Sequence, residues 1–220
     1  MKLKKVLRTI ASTACAAVLA LSLVSCGHNS SSTSEAGSSS GAASSAGESR
    51  SFTIALYSEY APKTCENFEK LVKDGFYDGL VFHRVMKDFM AQGGGFDENG
   101  KPKEAQTIKG EFAANGFTQN TISHKRGIVS MARTAQSMDS ASSQFFICYA
   151  DKDTFLDGQY AAFGNVTQGM DVVDDFLKIE LKMTETGEQS VPASTIKITK
   201  AEMIEDDGKG HHQAKFYVTF

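Results

Sequence analysis

The sequence predicts a mainly β domain, a closed antiparallel barrel capped by two short helices. Two observations point there. Six or more apolar runs of strand length are separated by Gly, Pro or polar turns, and only two segments carry helical periodicity. A third sets the scale: residues 51–220 are the right size for one domain around one core.

Phe52, Ile54 and Leu56 alternate with small or polar residues across Ser51 to Tyr57, the pattern of a half-buried strand. Ala61-Pro62-Lys63-Thr64 opens a helix, because proline's missing N–H costs nothing in a first turn. Cys65, Phe68, Leu71 and Val72 recur at helical spacing, and Gly75 ends the run. Leu80 to Val85 and Phe89 to Gln92 are two short strands, and Gly93-Gly94-Gly95 is expected to be a turn. The stretch from Asp97 to Lys109 is loop-like. Gly127 to Ala132, Gln144 to Tyr149 and Ala161 to Val166 are three more apolar strands. Met170, Val173, Phe176 and Leu177 mark the second helix, and Thr195 to Met203 is a late strand. After the polar linker Glu205 to Gly210, Phe216, Val218 and Phe220 alternate with Lys215, Tyr217 and Thr219, another strand pattern.

The chain's first 25 residues form a targeting segment. Lys2, Lys4, Lys5 and Arg8 make a positive start, and Ile10 to Val24 is uncharged and mostly apolar. Leu23-Val24-Ser25-Cys26 has the form of a lipobox, in which Cys26 takes the lipid and becomes the mature N-terminus. An uncleaved anchor or an ordinary cleavage site are the alternatives, but the apolar run is short for a spanning helix. Residues 26–50 are then a lipidated cysteine and a tether of Ser, Gly and Ala. Such a composition buries no core and reaches roughly 25–30 Å as a random coil.

The net charge of −3 becomes −7 once the four basic residues of the leader are removed. No basic face suggests nucleic acid, and the acidic balance argues against membrane adhesion beyond the lipid. Cys65 falls on a helix and Cys148 in an apolar strand, so two separate buried thiols are expected. His124, His211 and His212 have no third ligand at useful spacing, so no metal or other cofactor is expected. Ser142-Ser143 lacks the partners of a hydrolase nucleophile.

The chemistry is concentrated in Phe82-His83-Arg84-Val85 and Phe89-Met90-Ala91-Gln92-Gly93-Gly94-Gly95, joined sixty residues on by Ser143-Gln144-Phe145-Phe146-Ile147 and Phe155-Leu156-Asp157-Gly158. An Arg beside an apolar cleft, with no nucleophile or metal, suits recognition of a peptide carbonyl while apolar groups hold a ring. His83 is expected to be a structural hydrogen-bonder, and Phe145 a core residue, because strand alternation sends it opposite to Phe146.

These motifs, in this order, resemble the cyclophilin family of peptidyl-prolyl cis–trans isomerases across roughly Phe52 to Met203. The resemblance implies a cyclophilin-like barrel, a catalytic role for Arg84, and a proline pocket formed by Phe89, Met90, Phe146 and Leu156. It also implies that Gln92 and Gln144 bind substrate backbone, with Ala132, Arg133, Phe155 and Tyr160 completing the site. Three positions depart from the common pattern. Phe155 stands where many members carry Trp, so an indole donor used by the inhibitor cyclosporin is lost. Tyr160 replaces a frequent His, and Arg133 an Asn that contacts substrate through its backbone. A fourth departure is architectural. Members usually begin with two strands before the Pro-Lys-Thr helix, whereas this domain begins with one. The C-terminal strand is therefore expected to fill the vacant slot between Phe52–Tyr57 and Thr195–Met203, a circular permutation.

The resulting expectation is a monomeric, lipid-anchored extracytoplasmic isomerase acting on proline-containing polypeptides. The alternative is a proline-peptide binding or surface-interaction lipoprotein with negligible turnover. For the anchor, Cys26→Ser should abolish incorporation of radiolabelled palmitate into the full-length chain; equal labelling of both proteins would refute the lipobox.

Overall fold

The structure, a computed structural model, describes residues 49–220, which belong to one compact unit. The leader, Cys26 and the tether up to residue 48 lie outside the described residues; at the far end of the expected tether, Arg50 is already the first residue of β1, paired with Asp175. Eight strands form a closed barrel: β1 (Arg50–Leu56), β2 (Leu80–Val85), β3 (Met90–Asp97), β4 (Ile128–Met131), β5 (Phe145–Cys148), β6 (Ala162–Gln168), β9 (Ile196–Ile204) and β10 (Gln213–Thr219). The order around it is β1-β10-β9-β2-β3-β5-β4-β6, every pairing is antiparallel, and β6 returns to β1. Two short helices cap it, α1 (Pro62–Lys73) and α2 (Met170–Asp175). Among the described residues no helix is long and apolar enough to cross a membrane.

The barrel interior is packed around a group of aromatic rings drawn from β1, β2, β5, β6, β10 and α1, with aliphatic side chains from β4 and β9 filling the rest. Phe68 of α1 packs against Phe145, Phe163 and Phe216 at centroid distances of 5.5, 4.8 and 5.9 Å. Phe176, in the single 3-10 turn that follows α2, meets Phe82 at 5.0 Å. Rings of this size each remove a large apolar area from water, and edge-to-face contacts add to that burial. The N-terminus of α1 has no capping side chain of its own. Instead the buried Glu111 accepts hydrogen bonds from the Lys63 and Thr64 amides at 3.0 and 2.8 Å and from the Thr64 hydroxyl at 2.7 Å. A carboxylate there satisfies donors that the helix cannot pair and faces the positive end of its dipole.

The C-terminal segment takes the slot expected for it. β10 runs antiparallel to β1 on one side, from Arg50↔Val218 to Ala55↔Gln213, and to β9 on the other. Ala214, Phe216 and Val218 face the core with no exposed surface, and Phe216 stacks on Phe52 at 5.4 Å. The linker is held by Asp207, whose carboxylate accepts from the Lys209 and His211 amides. Cys65 and Cys148 are separate buried thiols.

Two expectations about the secondary structure fail. The Gly93-Gly94-Gly95 run is no chain-reversing turn but the middle of β3, where Gly94, at a φ of +80°, sits at a shift in the register against β2. A hairpin of β7 (Leu181–Met183) and β8 (Gln189–Pro192) occupies a segment in which no element was expected. Its strands are short and mostly solvated, so they lack the alternation that marks a strand buried on one face.

Removing residues 211–220 opens the barrel and exposes the edges of β1 and β9, so it should abolish cooperative unfolding of the domain. Phe216→Ala, a milder change, should cost about 3–5 kcal/mol in a denaturant melt. A truncated protein melting at the parental temperature would refute the structural role of β10.

Candidate active site

The site stands on the outer face of β2, β3, β5 and β4, and a bulge puts it there. Phe82 pairs with Gly93, yet Arg84 pairs with Gln92, so two steps along β2 answer one step along β3. In a regular strand Phe82 and Arg84 would share a face. The extra residue, His83, reverses that relation. Phe82 and Val85 therefore enter the core while Arg84 emerges outside. Cross-strand pairing then sets Arg84, Gln92, Phe146 and Ser130 in one row over four strands. Met90 follows Gln92 on the same face of β3, and with Phe146, Cys148 and Leu156 it forms an apolar cluster separate from the main core. Phe145 turns the other way, into the barrel, as alternation predicts.

Nine of the eleven site residues expected from the sequence line one cavity of about 140 Å³: Arg84, Phe89, Met90, Gln92, Ala132, Arg133, Phe146, Leu156 and Tyr160. Phe146 and Met90 form its apolar floor, buried to 5% and 1% exposure. Tyr160 meets Phe146 edge-on at 5.8 Å. The Arg133 guanidinium lies 4.7 Å from the Tyr160 ring centroid and donates from Nε to the Gln159 carbonyl at 3.0 Å. Gln144 lines a neighbouring cavity of about 250 Å³, which shares Gln92, Ala132 and Arg133 with the first. Phe155 does not line the cavity; it is 65% exposed and stacks on Phe89 at the rim, 5.8 Å away.

Gly95 explains the glycine run. A Cβ there would stand 2.4 Å from Cγ of Gln144, whose side chain lies across β3. Gln144 Oε1 accepts from Gln92 Nε2 at 2.9 Å, which joins the two cavities through paired amides. Gly93 is equally confined: a Cβ would meet the Phe82 ring at 2.9 Å. The glycines permit close approach within a strand.

Beneath Phe146 lies a polar support. His124, fully buried, stacks under the Phe146 ring at 6.0 Å. Its Nδ1 contacts Asp157 Oδ1 at 2.9 Å and its Nε2 contacts Ser130 Oγ at 3.0 Å. The Asp–His–Ser order has the form of a hydrolase relay, but Ser130 is fully buried and no substrate can reach it. The same Asp157 accepts from the Ser123 hydroxyl and the His124 amide at 2.6 and 2.7 Å, which ties the Leu156 loop to the sheet. Among the described residues, no group of three or more His, Cys, Asp or Glu is placed to hold a metal ion.

His83 is not the hydrogen-bonder expected. Its Nδ1 is buried without a partner, and the ring packs edge-on against Phe96 at 4.8 Å. Burial, reinforced by the Arg84 charge, pushes its pKa down to about 4. Arg84, in contrast, has a partner that motif reasoning missed. Glu188, in the turn just before β8, accepts from its Nε at 2.6 Å and its Nη2 at 2.7 Å. Hydrogen bonding from Arg84 holds the Glu188 carboxyl down to about 2. Nothing in the local sequence marks Glu188, because 104 residues separate the partners.

An apolar floor, paired amides and a guanidinium are groups suited to binding a peptide. The comparisons agree. The family model for cyclophilin type peptidyl-prolyl cis-trans isomerases matches residues 44–203. A peptidyl-prolyl cis-trans isomerase of Acinetobacter baylyi is 45% identical over 156 residues, covering 68% of this chain and 78% of the relative. Peptidyl-prolyl cis-trans isomerase A of Dickeya dadantii is 42% identical over 156 residues, covering 69% and 78%. Among solved structures, a Cryptosporidium parvum cyclophilin type isomerase in the presence of the dipeptide alanyl-proline superposes with a TM-score of 0.55. It is 26% identical, covering 68% of this chain and 89% of that one. The chain belongs to the cyclophilin-type peptidyl-prolyl cis–trans isomerases. The matched span ends at residue 203 and so leaves out β10, the strand that completes the barrel here.

Because its folded pKa is depressed, His83 is neutral in the native protein above about pH 4 but protonates near 6.5 when unfolded. Its contribution to stability is therefore complete above about 6.5 and is lost as pH falls from there towards 4. The His83 ring protons should titrate near pH 4 by NMR, and His83→Gln should flatten the fall in stability over that window. A midpoint at 6.5 would contradict the burial argument.

Proposed function

We propose that this isomerase is an extracytoplasmic, lipid-anchored enzyme that assists the folding of exported proteins, with Arg84 as its catalytic group. The bond before proline has two isomers close in energy, separated by a barrier of roughly 18–20 kcal/mol that arises from amide resonance. Lowering it needs neither a covalent intermediate nor a proton shuttle. It needs the ring held, water excluded, and a donor stronger towards the twisted amide than the planar one.

In this reading Met90, Phe146 and Leu156 hold the proline ring, with Phe89 and Tyr160 as walls. Gln92 and Gln144 bind the flanking backbone, and Ala132 presents backbone groups beside Arg133. The Arg84 guanidinium donates to the imide nitrogen's lone pair or to the rotating carbonyl oxygen as conjugation is lost. The observation that carries the reading is a permanently charged fork on the wall of a cavity whose floor is otherwise apolar. Lipidation at Cys26 would confine this activity to chains emerging on the extracytoplasmic face of the membrane, with the residues between Cys26 and β1 as the tether.

Arg84→Ala should lower kcat/KM on a prolyl tetrapeptide by one to several powers of ten, each worth about 1.4 kcal/mol, while the circular dichroism stays parental. Parental turnover in a folded variant would refute the role of Arg84.

A further inference from the structure

The hairpin that sequence reasoning overlooked is built to present one side chain. Its turn is closed twice by Thr184: the Thr184 amide donates to the Glu188 carbonyl at 2.8 Å, and the Glu188 amide donates to Thr184 Oγ1 at 3.0 Å. Gly187, at a φ of +85°, supplies the left-handed residue that the turn requires. The base is tied by Ala193 N donating to the Glu180 carbonyl at 2.8 Å and by Gln189 Nε2 donating to the Leu181 carbonyl at 3.1 Å. The Glu188 backbone is thus fixed on both sides before its carboxylate reaches the barrel.

That carboxylate takes one particular edge of the Arg84 fork. It binds Nε and Nη2, the side edge, and the structure gives it no bond to Nη1. A guanidinium has five N–H donors. The grip uses two of them and leaves both Nη1 hydrogens and one on Nη2, enough for the end edge to act on a substrate. An arginine side chain has many rotamers to lose, and immobilising it in advance removes that cost from the reaction. The pair is about one-third exposed on each side, so its importance lies in orientation rather than in stability.

We propose that Glu188 is a positioning residue for catalysis: the β7–β8 hairpin holds the side edge of the Arg84 guanidinium so that its end edge is presented to the twisting prolyl amide. This rests on the role proposed for Arg84. It assigns a function to a hairpin outside the barrel and makes turnover depend on residues 184–188, which carry none of the site motifs.

The test is a double-mutant cycle in the full-length protein with a prolyl tetrapeptide. Glu188→Ala should lower kcat about tenfold with KM nearly unchanged, because the loss falls on the twisted state. Glu188→Gln, which keeps the shape and one acceptor, should fall between that variant and the parent. The Nε–H resonance of Arg84 should be sharp and slowly exchanging in the parent and lost in Glu188→Ala. In an Arg84→Ala background, Glu188→Ala should have no further effect, since it acts only through Arg84. Equal or faster turnover by Glu188→Ala, or a tenfold loss that persists without Arg84, would overturn the proposal. If Arg84→Ala itself turned over at the parental rate, the catalytic reading would fail first and independently.

Discussion

Everything at the site depends on one extra residue in β2. A barrel strand has two faces, and alternation assigns Phe82 and Arg84 to the same one. Without the bulge at His83, Arg84 would follow Phe82 into an interior packed with aromatic rings, where an unpaired guanidinium is intolerable. With it, Phe82 stays in the core, Val85 returns there three positions on, and Arg84 emerges beside Gln92 and Phe146. The cost appears at His83, whose Nδ1 is buried without a partner. A polar group left in this state normally requires compensation. Here it accompanies the placement of the neighbouring charge.

The rest of the barrel holds that row of residues still. Arg84, Gln92, Phe146 and Ser130 sit on four successive strands, so the geometry of the site is the geometry of the sheet. Closure of the sheet depends in turn on β10. It pairs β1 with β9, and its Phe216 contacts Phe52, Phe68 and Phe145, which line the interior behind the site. A strand from the far end of the chain thus supports a site built from the middle. A strand at the far terminus can fill this slot because sheet pairing depends on adjacency in space and not on chain order.

Below and beside the cavity, polar groups do work that the apolar floor cannot. His124, joined to Asp157 and Ser130, gives Phe146 a rigid base. Its pKa is lowered chiefly by burial, against the opposing pull of Asp157. Gln144 lies across Gly95 and meets Gln92, so the two amides restrain each other. Arg133 is wedged against Tyr160 and Phe112, turning a position that differs from the common family pattern into part of the wall.

Much of this was legible in the amino-acid order. Period-two patterns located the barrel strands, Pro62 and Gly75 bounded α1, and the alternation of Phe216, Val218 and Phe220 exposed β10, because each signal is local and repeats. The Phe-His-Arg and Ser-Gln-Phe-Phe motifs named the side chains that share the cavity. What only the tertiary structure decided is where pairing departs from regularity or joins distant segments. The bulge at His83 arises from the register of β2 against β3, and the need for Gly93 to Gly95 within β3 from the close approach of Phe82 and Gln144 and the left-handed φ of +80° at Gly94. Phe155 lies at the rim and not in the wall because its exposure depends on how the Leu156 loop meets the sheet. Glu188 was invisible because its partner is 104 residues away and its hairpin is mostly solvated, so no hydrophobic period records it.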